Sequence, residues 1–233
     1  MHTSALQNCQ GFFETYASAF SASEKVRVIE IGSQDVNGSL RALAPSRFEY
    51  IGIDFVPAKG VDIVISDPYV LPFEANSVDI VLSSSCFEHS EMFWITFLEI
   101  MRVLKPTGLF YLNAPSNGAF HRYPVDCWRF YPDSGRALVT WAKRNNINAV
   151  LLESYTSGQL AGESGHWNDF VAVFGKNEAH AHLFEKRILD SKKDITNGLI
   201  HGREGFINPS EMSEDRRKLI AIDKILSNQI KVY

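Results

Sequence analysis

Short apolar runs alternate with helix-like segments along most of the chain, and this alternation limits the folds open to it. The run Val26 to Ile31 ends at Gly32, as a buried strand does when it enters a turn. Similar runs predict strands at 50–55, 61–65, 78–83, 109–114, 149–155 and 169–174, and helical spacing predicts helices at 3–20, 39–44, 90–104 and 134–144. Strands that alternate with helices predict a parallel sheet with helices on both faces.

The last two predicted strands have no helix between them, so they are expected to pair antiparallel. We therefore predict an α/β fold: a Rossmann-like three-layer sandwich with a mostly parallel, seven-stranded sheet that ends in an antiparallel hairpin. This sheet belongs to a domain at residues 1–177.

Residues 178–233 are more polar and are predicted to form a helical C-terminal extension. Helical stretches are expected near Ala179–Asp190 and Arg216–Ile230, the second with apolar residues at three- and four-residue steps. These helices either pack on the domain, form a contact between two copies of the chain, or cover the site as a lid.

Composition and charge argue against several classes of binding partner. The formal net charge of −4 argues against nucleic acid, because phosphate binding needs a basic face. The three cysteines, Cys9, Cys86 and Cys127, form no CxxC pair, which argues against a disulfide framework or structural zinc and favours a cytoplasmic setting. No apolar run is long enough to span a bilayer, so no membrane partner is expected.

Three features suit the binding of a nucleoside-like ligand. The strand that ends at Gly32 enters a turn with Asn37-Gly38, where a ligand can approach the backbone closely. Asp54 is expected at the end of the second strand, where an acid binds ribose hydroxyls. Asp67-Pro68 is followed by apolar residues that suit an adenine ring, although an Asp-Pro pair is also typical of an ordinary turn.

In this order, the three features resemble the class I S-adenosylmethionine-dependent methyltransferases over residues 24–175. Glu30-Ile31-Gly32 resembles the first motif of that family, and the resemblance implies S-adenosylmethionine as cofactor. Glu30 would hold the amino-acid end of the cofactor, Asp54 the ribose and Asp67 the adenine amine. The residues implied to bind the cofactor are Glu30, Gly32, Ser33, Gly38, Asp54, Phe55, Asp67, Pro68, Ser84 and Ser85.

One departure from the family pattern concerns the glycine loop. Gln34 and Val36 stand where the family has closely spaced glycines, and the next glycine is Gly38. The same residues argue against the G-x-G-x-x-G pattern of a dinucleotide-binding fold and against a P-loop.

The acceptor of the methyl group is expected near Glu88-His89 and near the segment 121–132. That segment resembles methyltransferases associated with glycan and surface-polysaccharide clusters. A hydroxyl acceptor needs a base, and a histidine titrates near neutrality. The candidates for catalysis are His121 first, His89 second and Asp126; those for substrate binding are Arg122, Tyr123, Trp128 and Arg129; His166 is weaker.

Several of these side chains have a structural alternative. Trp128 is as readily explained by packing under a loop, and Arg129 by an internal pair with Asp126. Glu88, His89, His121 and Asp126 together suit a divalent metal, but without a tight spacing we expect none.

The sequence thus predicts an S-adenosylmethionine-dependent O-methyltransferase that acts on a sugar or another small polar acceptor, with a homodimer possible through the C-terminal helices. Two other functions remain open. One is a catalytically silent methyltransferase-like scaffold, and the other is a nicotinamide-dependent oxidoreductase.

Overall fold

The computed structural model describes residues 2–21, 25–162, 166–227 and 229, and in these it places eight strands in one sheet. The strands are β1 (Arg27–Ile31), β2 (Glu49–Asp54), β3 (Ile63–Val64), β4 (Val78–Ser84), β5 (Leu104–Pro115), β6 (Val150–Ser157), β7 (Asp169–Gly175) and β8 (Ile195–Ile200). Their order across the sheet is β3-β2-β1-β4-β5-β7-β6-β8.

The helices lie on both faces of this sheet. The α-helices are α1 (Thr3–Tyr16), α2 (Phe93–Val103), α3 (Ser134–Arg144) and α4 (Glu214–Leu226), and short 3-10 helices span Ala17–Ala19, Leu40–Leu43, Phe87–His89, Glu178–Leu183 and Ile188–Asp190. The apolar side of α1 belongs to the core on one face, and α2 and α3 contribute to the core on the other. The predicted three-layer sandwich is confirmed.

Strand directions agree with the prediction, but the strand count does not. β1 pairs parallel with β2 and β4, β2 with β3, and β4 with β5. β7 pairs antiparallel with both β5 and β6, so the terminal hairpin is confirmed. The predicted number of seven strands is wrong, because β8 pairs antiparallel with the free edge of β6.

The C-terminal region is less helical than the sequence indicates. The stretch Ala179–Asp190 contains two short 3-10 helices, and β8 follows them. Of the predicted helix Arg216–Ile230, the structure forms α4, whereas Ile230 lies outside the described residues. No residue of α4 is buried. The domain boundary at residue 177 and the homodimer through these helices stay predictions.

A buried carboxylate joins this region to the sheet. Glu153 of β6 accepts hydrogen bonds from the backbone N–H groups of Ile188 and Leu189, at 2.8 and 3.0 Å. The Tyr16 hydroxyl at the end of α1 donates to the same carboxylate at 2.6 Å. Because a buried carboxylate needs partners for its oxygens, Glu153 ties α1, β6 and the C-terminal region together.

Gly32 makes the turn after β1, and its lack of a side chain is required there. Its φ is +77°, in the left-handed region. A Cβ atom at Gly32 would also lie 2.8 Å from both Cβ and Sγ of Cys86, which follows the neighbouring strand β4. The end of β4 therefore approaches the turn after β1 only because residue 32 is glycine.

Glu30 of β1 is buried in the core on the α1 face of the sheet. Side chains alternate along a strand, so Glu30 shares the face of Val28. The Tyr50 hydroxyl donates to its carboxylate at 2.7 Å. Burial raises the pKa of Glu30 to about 7.

Within the described residues, none of the helices has the length and apolar character needed to cross a membrane.

Substitution of Gly32 by alanine is expected to destabilise the fold more than the same change at Gly202. Both glycines have a φ of +77°, but a Cβ at Gly202 would meet no atom within 4 Å. Gly202→Ala therefore reports backbone strain alone, about 1–2 kcal/mol. Gly32→Ala adds the clash with Cys86, about 1–3 kcal/mol more. Urea unfolding of both variants measures the difference, and equal losses of unfolding free energy would contradict the close approach.

Replacing Glu30 by glutamine is expected to change how stability depends on pH. Because its folded pKa is raised, the contribution of Glu30 is fully present below the unfolded pKa near 4.5 and is lost as pH rises through about 7. Relative to the wild type, Glu30→Gln should gain up to about 3 kcal/mol of unfolding free energy between pH 5 and pH 8.

The matched control is Glu49→Gln. Hydrogen bonds from Lys25 and Arg27 lower the pKa of Glu49, so its contribution is lost only as pH falls, and the difference from wild type should be flat over the same range. Urea unfolding at four pH values measures both variants. A flat difference for Glu30→Gln would refute the burial argument.

Candidate active site

A cavity of about 580 Å³ opens where the parallel strands end. Its walls come from the loops after β1, β2, β4 and β5, with additions from the start of α1 and from the loop before β7. This is the edge of an open α/β sheet where ligands bind, and the volume is ordinary for a small-molecule site.

The loop after β1 contributes backbone to one wall. Gly32, Gln34 and Val36 line the cavity. Ser33 and Gly38, which the sequence predicted as cofactor contacts, are not part of the wall. The Ser33 N–H donates to the Ile53 carbonyl at 3.2 Å, and the Gly38 N–H donates to the Asp35 carboxylate at 2.9 Å, so both residues shape the loop from behind.

Asp54 lies in the wall at the end of β2, as predicted. Its Oδ1 accepts from the Phe55 N–H at 2.7 Å, and its Oδ2 from the Gln34 N–H at 3.3 Å. Two carboxylate oxygens offer about four acceptor positions, so these bonds fix the group and leave positions for ligand hydroxyls. Beside it, the side chains of Phe55 and Val56 are exposed in the same wall.

Two hydroxyl groups at the end of β4 have no hydrogen-bond partner in the described part of the chain. Ser84 and Ser85 line the cavity, and the Oγ atom of each is buried without a hydrogen bond among the described residues. Ser85 also has a φ of +51°. Buried polar atoms without partners and a left-handed non-glycine residue are both found at ligand sites.

Two predicted acids lie outside the cavity. Glu30 faces the α1 side, where it binds Tyr50. Asp67 and Pro68 are exposed in a turn, and Asp67 accepts a hydrogen bond from the Tyr69 N–H at 2.8 Å. Of the three acids assigned to the cofactor, the structure therefore brings only Asp54 into the cavity wall.

At the other end of the cavity, Glu88, His89 and His121 come together. Glu88 and His89 lie on the short helix after β4, and His121 lies in the loop after β5. The two imidazole rings are perpendicular, with centroids 5.0 Å apart. His89 Nε2 lies 3.7 Å from Glu88 Oε1. Burial raises the pKa of Glu88 to about 8 and lowers the pKa of His89.

Asp126 and Arg129 do not line the cavity; they pair with each other. Arg129 donates to both carboxylate oxygens of Asp126, at 2.6 and 2.9 Å. This guanidinium lowers the pKa of Asp126 to about 2, so Asp126 is a poor base. Asp126 Oδ2 also accepts from the His121 backbone N–H at 2.7 Å, which holds His121 in place. The predicted substrate contact of Arg129 is replaced by this internal pair.

Only some of the predicted substrate-binding residues line the cavity. Arg122 and Tyr123 line the cavity. Trp128 does not; its indole N–H donates to the Ser90 carbonyl at 3.0 Å, and its ring packs edge-on against Phe93. Trp128 is therefore explained by packing.

Two aromatic residues of the cavity wall were not predicted from the sequence. His2 precedes α1, and Trp167 precedes β7. Their rings stack, with centroids 5.4 Å apart, and His2 Nε2 lies 3.1 Å from Asp169 Oδ1. The centroid of the Trp167 ring also lies 5.4 Å from that of the His121 ring. No local pattern predicts this contact, because it joins segments far apart in the chain. His166 is exposed and does not line the cavity, and residues 163–165 of the same loop lie outside the described residues.

Residues 22–112 match a protein family described as a methyltransferase domain, and no curated protein matches the sequence. The matched segment is less than half of the chain. It contains the loops after β1, β2 and β4, but ends before the loop that carries His121. The family match therefore includes the Asp54 end of the cavity as well as Glu88 and His89, but it does not reach the His121 loop.

Several solved structures share the fold at low sequence identity. A chain of the complex between the Haloferax volcanii Trm112 methyltransferase activator and a methyltransferase is 17% identical, with a TM-score of 0.51 and coverage of 76% of this chain and 95% of that chain. The 1,6-didemethyltoxoflavin-N1-methyltransferase of Burkholderia thailandensis, with bound S-adenosylhomocysteine, is 14% identical, with a TM-score of 0.54 and coverage of 75% and 79%. A protein of Galdieria sulphuraria described as a sarcosine dimethylglycine methyltransferase is also 14% identical, with a TM-score of 0.54 and coverage of 74% and 85%.

At these identities the solved structures establish the fold, and the family match adds the methyltransferase domain. The chain therefore has the fold of these methyltransferases, and its residues 22–112 match the methyltransferase domain.

Proposed function

We propose that the chain transfers a methyl group from S-adenosylmethionine to a hydroxyl of a sugar or another small polar acceptor. The observation that carries the proposal is the position of Asp54: a buried carboxylate, fixed by backbone N–H groups, faces the same cavity as the Gly32 turn. This combination suits the ribose of a nucleoside, and the family match covers both residues.

The other residues at this end of the cavity fit the remaining parts of the cofactor. The exposed side chains of Phe55 and Val56 offer an apolar surface for the base. The Oγ atoms of Ser84 and Ser85, which lack partners among the described residues, suit the polar methionine end. Glu30 and Asp67 take no part in this assignment, since neither lines the cavity.

When bound, S-adenosylmethionine would supply a methyl group on a sulfonium sulfur, and the neutral thioether would be the leaving group when the acceptor oxygen takes that methyl group. The chain has to orient the acceptor and promote loss of its proton. Arg122 and Tyr123 line the acceptor end and offer donors to a polar substrate. Glu88, His89 and His121 form the cluster next to which the hydroxyl would lose its proton.

The side chains at the acceptor end of the cavity favour a hydroxyl as the acceptor. Two imidazoles and a buried carboxylate face it, a set suited to assisting deprotonation of a weakly acidic group. The sequence resemblance of the segment 121–132 to glycan-linked methyltransferases favours a sugar among hydroxyl acceptors.

The Asp54→Asn substitution is expected to weaken binding of S-adenosylhomocysteine about 10- to 100-fold, because a charged acceptor for hydroxyl groups is lost. Asp67→Asn is the matched control. The sequence assigns Asp67 to the adenine amine, but this residue lies outside the cavity. The affinity of the Asp67→Asn variant for S-adenosylhomocysteine should therefore stay within about twofold of the wild type. Isothermal titration calorimetry measures both. Unchanged affinity in Asp54→Asn would remove this residue from the site.

Turnover is expected with at least one member of a panel of nucleotide sugars, sugar phosphates and glycans, followed as release of S-adenosylhomocysteine. His121→Ala should retain cofactor affinity and lose about 10²- to 10⁴-fold in turnover. A chain that binds the cofactor but methylates no hydroxyl would contradict the proposed acceptor. Binding of neither S-adenosylmethionine nor its product would favour a silent scaffold, and binding of a nicotinamide nucleotide instead would favour an oxidoreductase.

A further inference from the structure

Glu88, His89 and His121 each offer one ligand atom to a common point at the acceptor end of the cavity. These three atoms lie within 4.8 Å of one another. Two residues are neighbours on the helix after β4, and the third comes from the loop after β5, so two adjacent strand ends build the cluster. Two ligand atoms bound to one ion with bonds of about 2.1 Å lie about 3–4 Å apart, which is within reach of small side-chain rotations.

Both histidines are held through Nδ1, which leaves Nε2 available to a ligand. His89 Nδ1 lies 2.5 Å from the Val125 carbonyl oxygen, and His121 Nδ1 lies 3.1 Å from the Ala119 carbonyl oxygen. A carbonyl only accepts, so each Nδ1 carries the proton and each Nε2 carries a lone pair. Histidines that bind metals are oriented in this way by backbone carbonyls or carboxylates.

The Asp126 carboxylate also helps to orient His121. Asp126 Oδ2 lies 3.6 Å from His121 Nδ1 and accepts from the backbone N–H of the same residue. Arg129 fixes Asp126 in turn. The Asp126–Arg129 pair thus holds the backbone of His121 in place.

Glu88 supplies a buried carboxyl group that has few polar partners among the described residues. The residue is 1% exposed, and its Oε2 atom has no hydrogen-bond partner among them. His89 Nε2, 3.7 Å from the other carboxylate oxygen, is the one basic atom within 4 Å that the described part of the chain provides. A buried carboxylate of this kind is stabilised when it binds a cation.

We propose that Glu88, His89 and His121 together bind one divalent transition-metal ion at the acceptor end of the cavity. Two imidazoles and one carboxylate suit Zn²⁺, Mn²⁺, Fe²⁺ or Co²⁺, whereas Mg²⁺ and Ca²⁺ prefer oxygen ligands. Sequence spacing argued against a metal, because His121 is distant from the other two in the chain. The fold removes that objection by placing the two loops side by side.

The catalytic part of the inference rests on the proposed function. An ion with three protein ligands keeps a position for an acceptor hydroxyl and lowers the pKa of that hydroxyl, so that its proton passes to solvent and its oxygen attacks the methyl carbon. The two histidines then act as ligands, and neither has to accept the proton.

Metal binding is tested on the full chain without cofactor or acceptor. After treatment with EDTA and dialysis, ZnCl₂ is titrated by calorimetry, and CoCl₂ is titrated while visible absorption is recorded. We expect one site, with affinity at least about tenfold lower in Glu88→Gln and in His121→Ala. The control is His182→Ala, which should bind the metal as the wild type does. His182 is exposed and follows β7, at the end of the strands opposite the cavity.

Absence of Zn²⁺ binding at millimolar concentration would overturn the proposal, as would equal affinity in the wild type and both cluster variants. His121→Ala keeps the test valid if Glu88→Gln does not fold, because the His121 side chain is 39% exposed. S-adenosylhomocysteine affinity is measured on the same samples. A chain that binds the metal but not this nucleoside would support the metal site and contradict the proposed function. A chain that binds the nucleoside but not the metal would support the proposed function and overturn the metal site.

Discussion

The contact between Gly32 and Cys86 determines how closely the ends of β1 and β4 approach each other. Residue 32 has no side chain, and Cys86 occupies the space that one would need. Strand β1 lies between β2 and β4. Because these strand ends lie close together, Asp54 at the end of β2 and the two serines at the end of β4 line one cavity. A larger residue at position 32 would separate the two walls in which the proposed cofactor lies.

The cavity is chemically divided along the sheet. The end near β1 and β2 offers a backbone turn, one fixed carboxylate and exposed apolar side chains. The end near β4 and β5 offers two imidazoles and a buried carboxylate. The family match covers the first end and includes Glu88 and His89 of the second end, but it stops before His121.

The order of elements was predictable because apolar runs and helical spacing are local signals. The edge strand β8 was not: Asn197-Gly198 within it indicates a turn, and its strand conformation depends on pairing with β6. The helix predicted over Ala179–Asp190 becomes two short 3-10 segments, since tertiary contacts such as those to Glu153 override a weak local preference.

For the site, the sequence predicts which residues lie at the strand ends but not which way their side chains point. Asp54 faces the cavity, whereas Glu30, one strand away, faces the helix layer. Internal pairs also compete for side chains that look available, as Arg129 and Asp126 do. Local sequence patterns do not predict that His2 and Trp167 line the cavity, because their contact joins the start of the chain to the loop before β7.

We propose that one nucleoside-binding cavity lies between Gly32, Asp54 and Ser84. A crystal structure of the chain with S-adenosylhomocysteine tests it most directly. We expect both ribose hydroxyls to bind the Asp54 carboxylate, the base to lie against Phe55, and the sulfur to point toward His121. A ligand bound elsewhere, or one whose ribose makes no contact with Asp54, would contradict it.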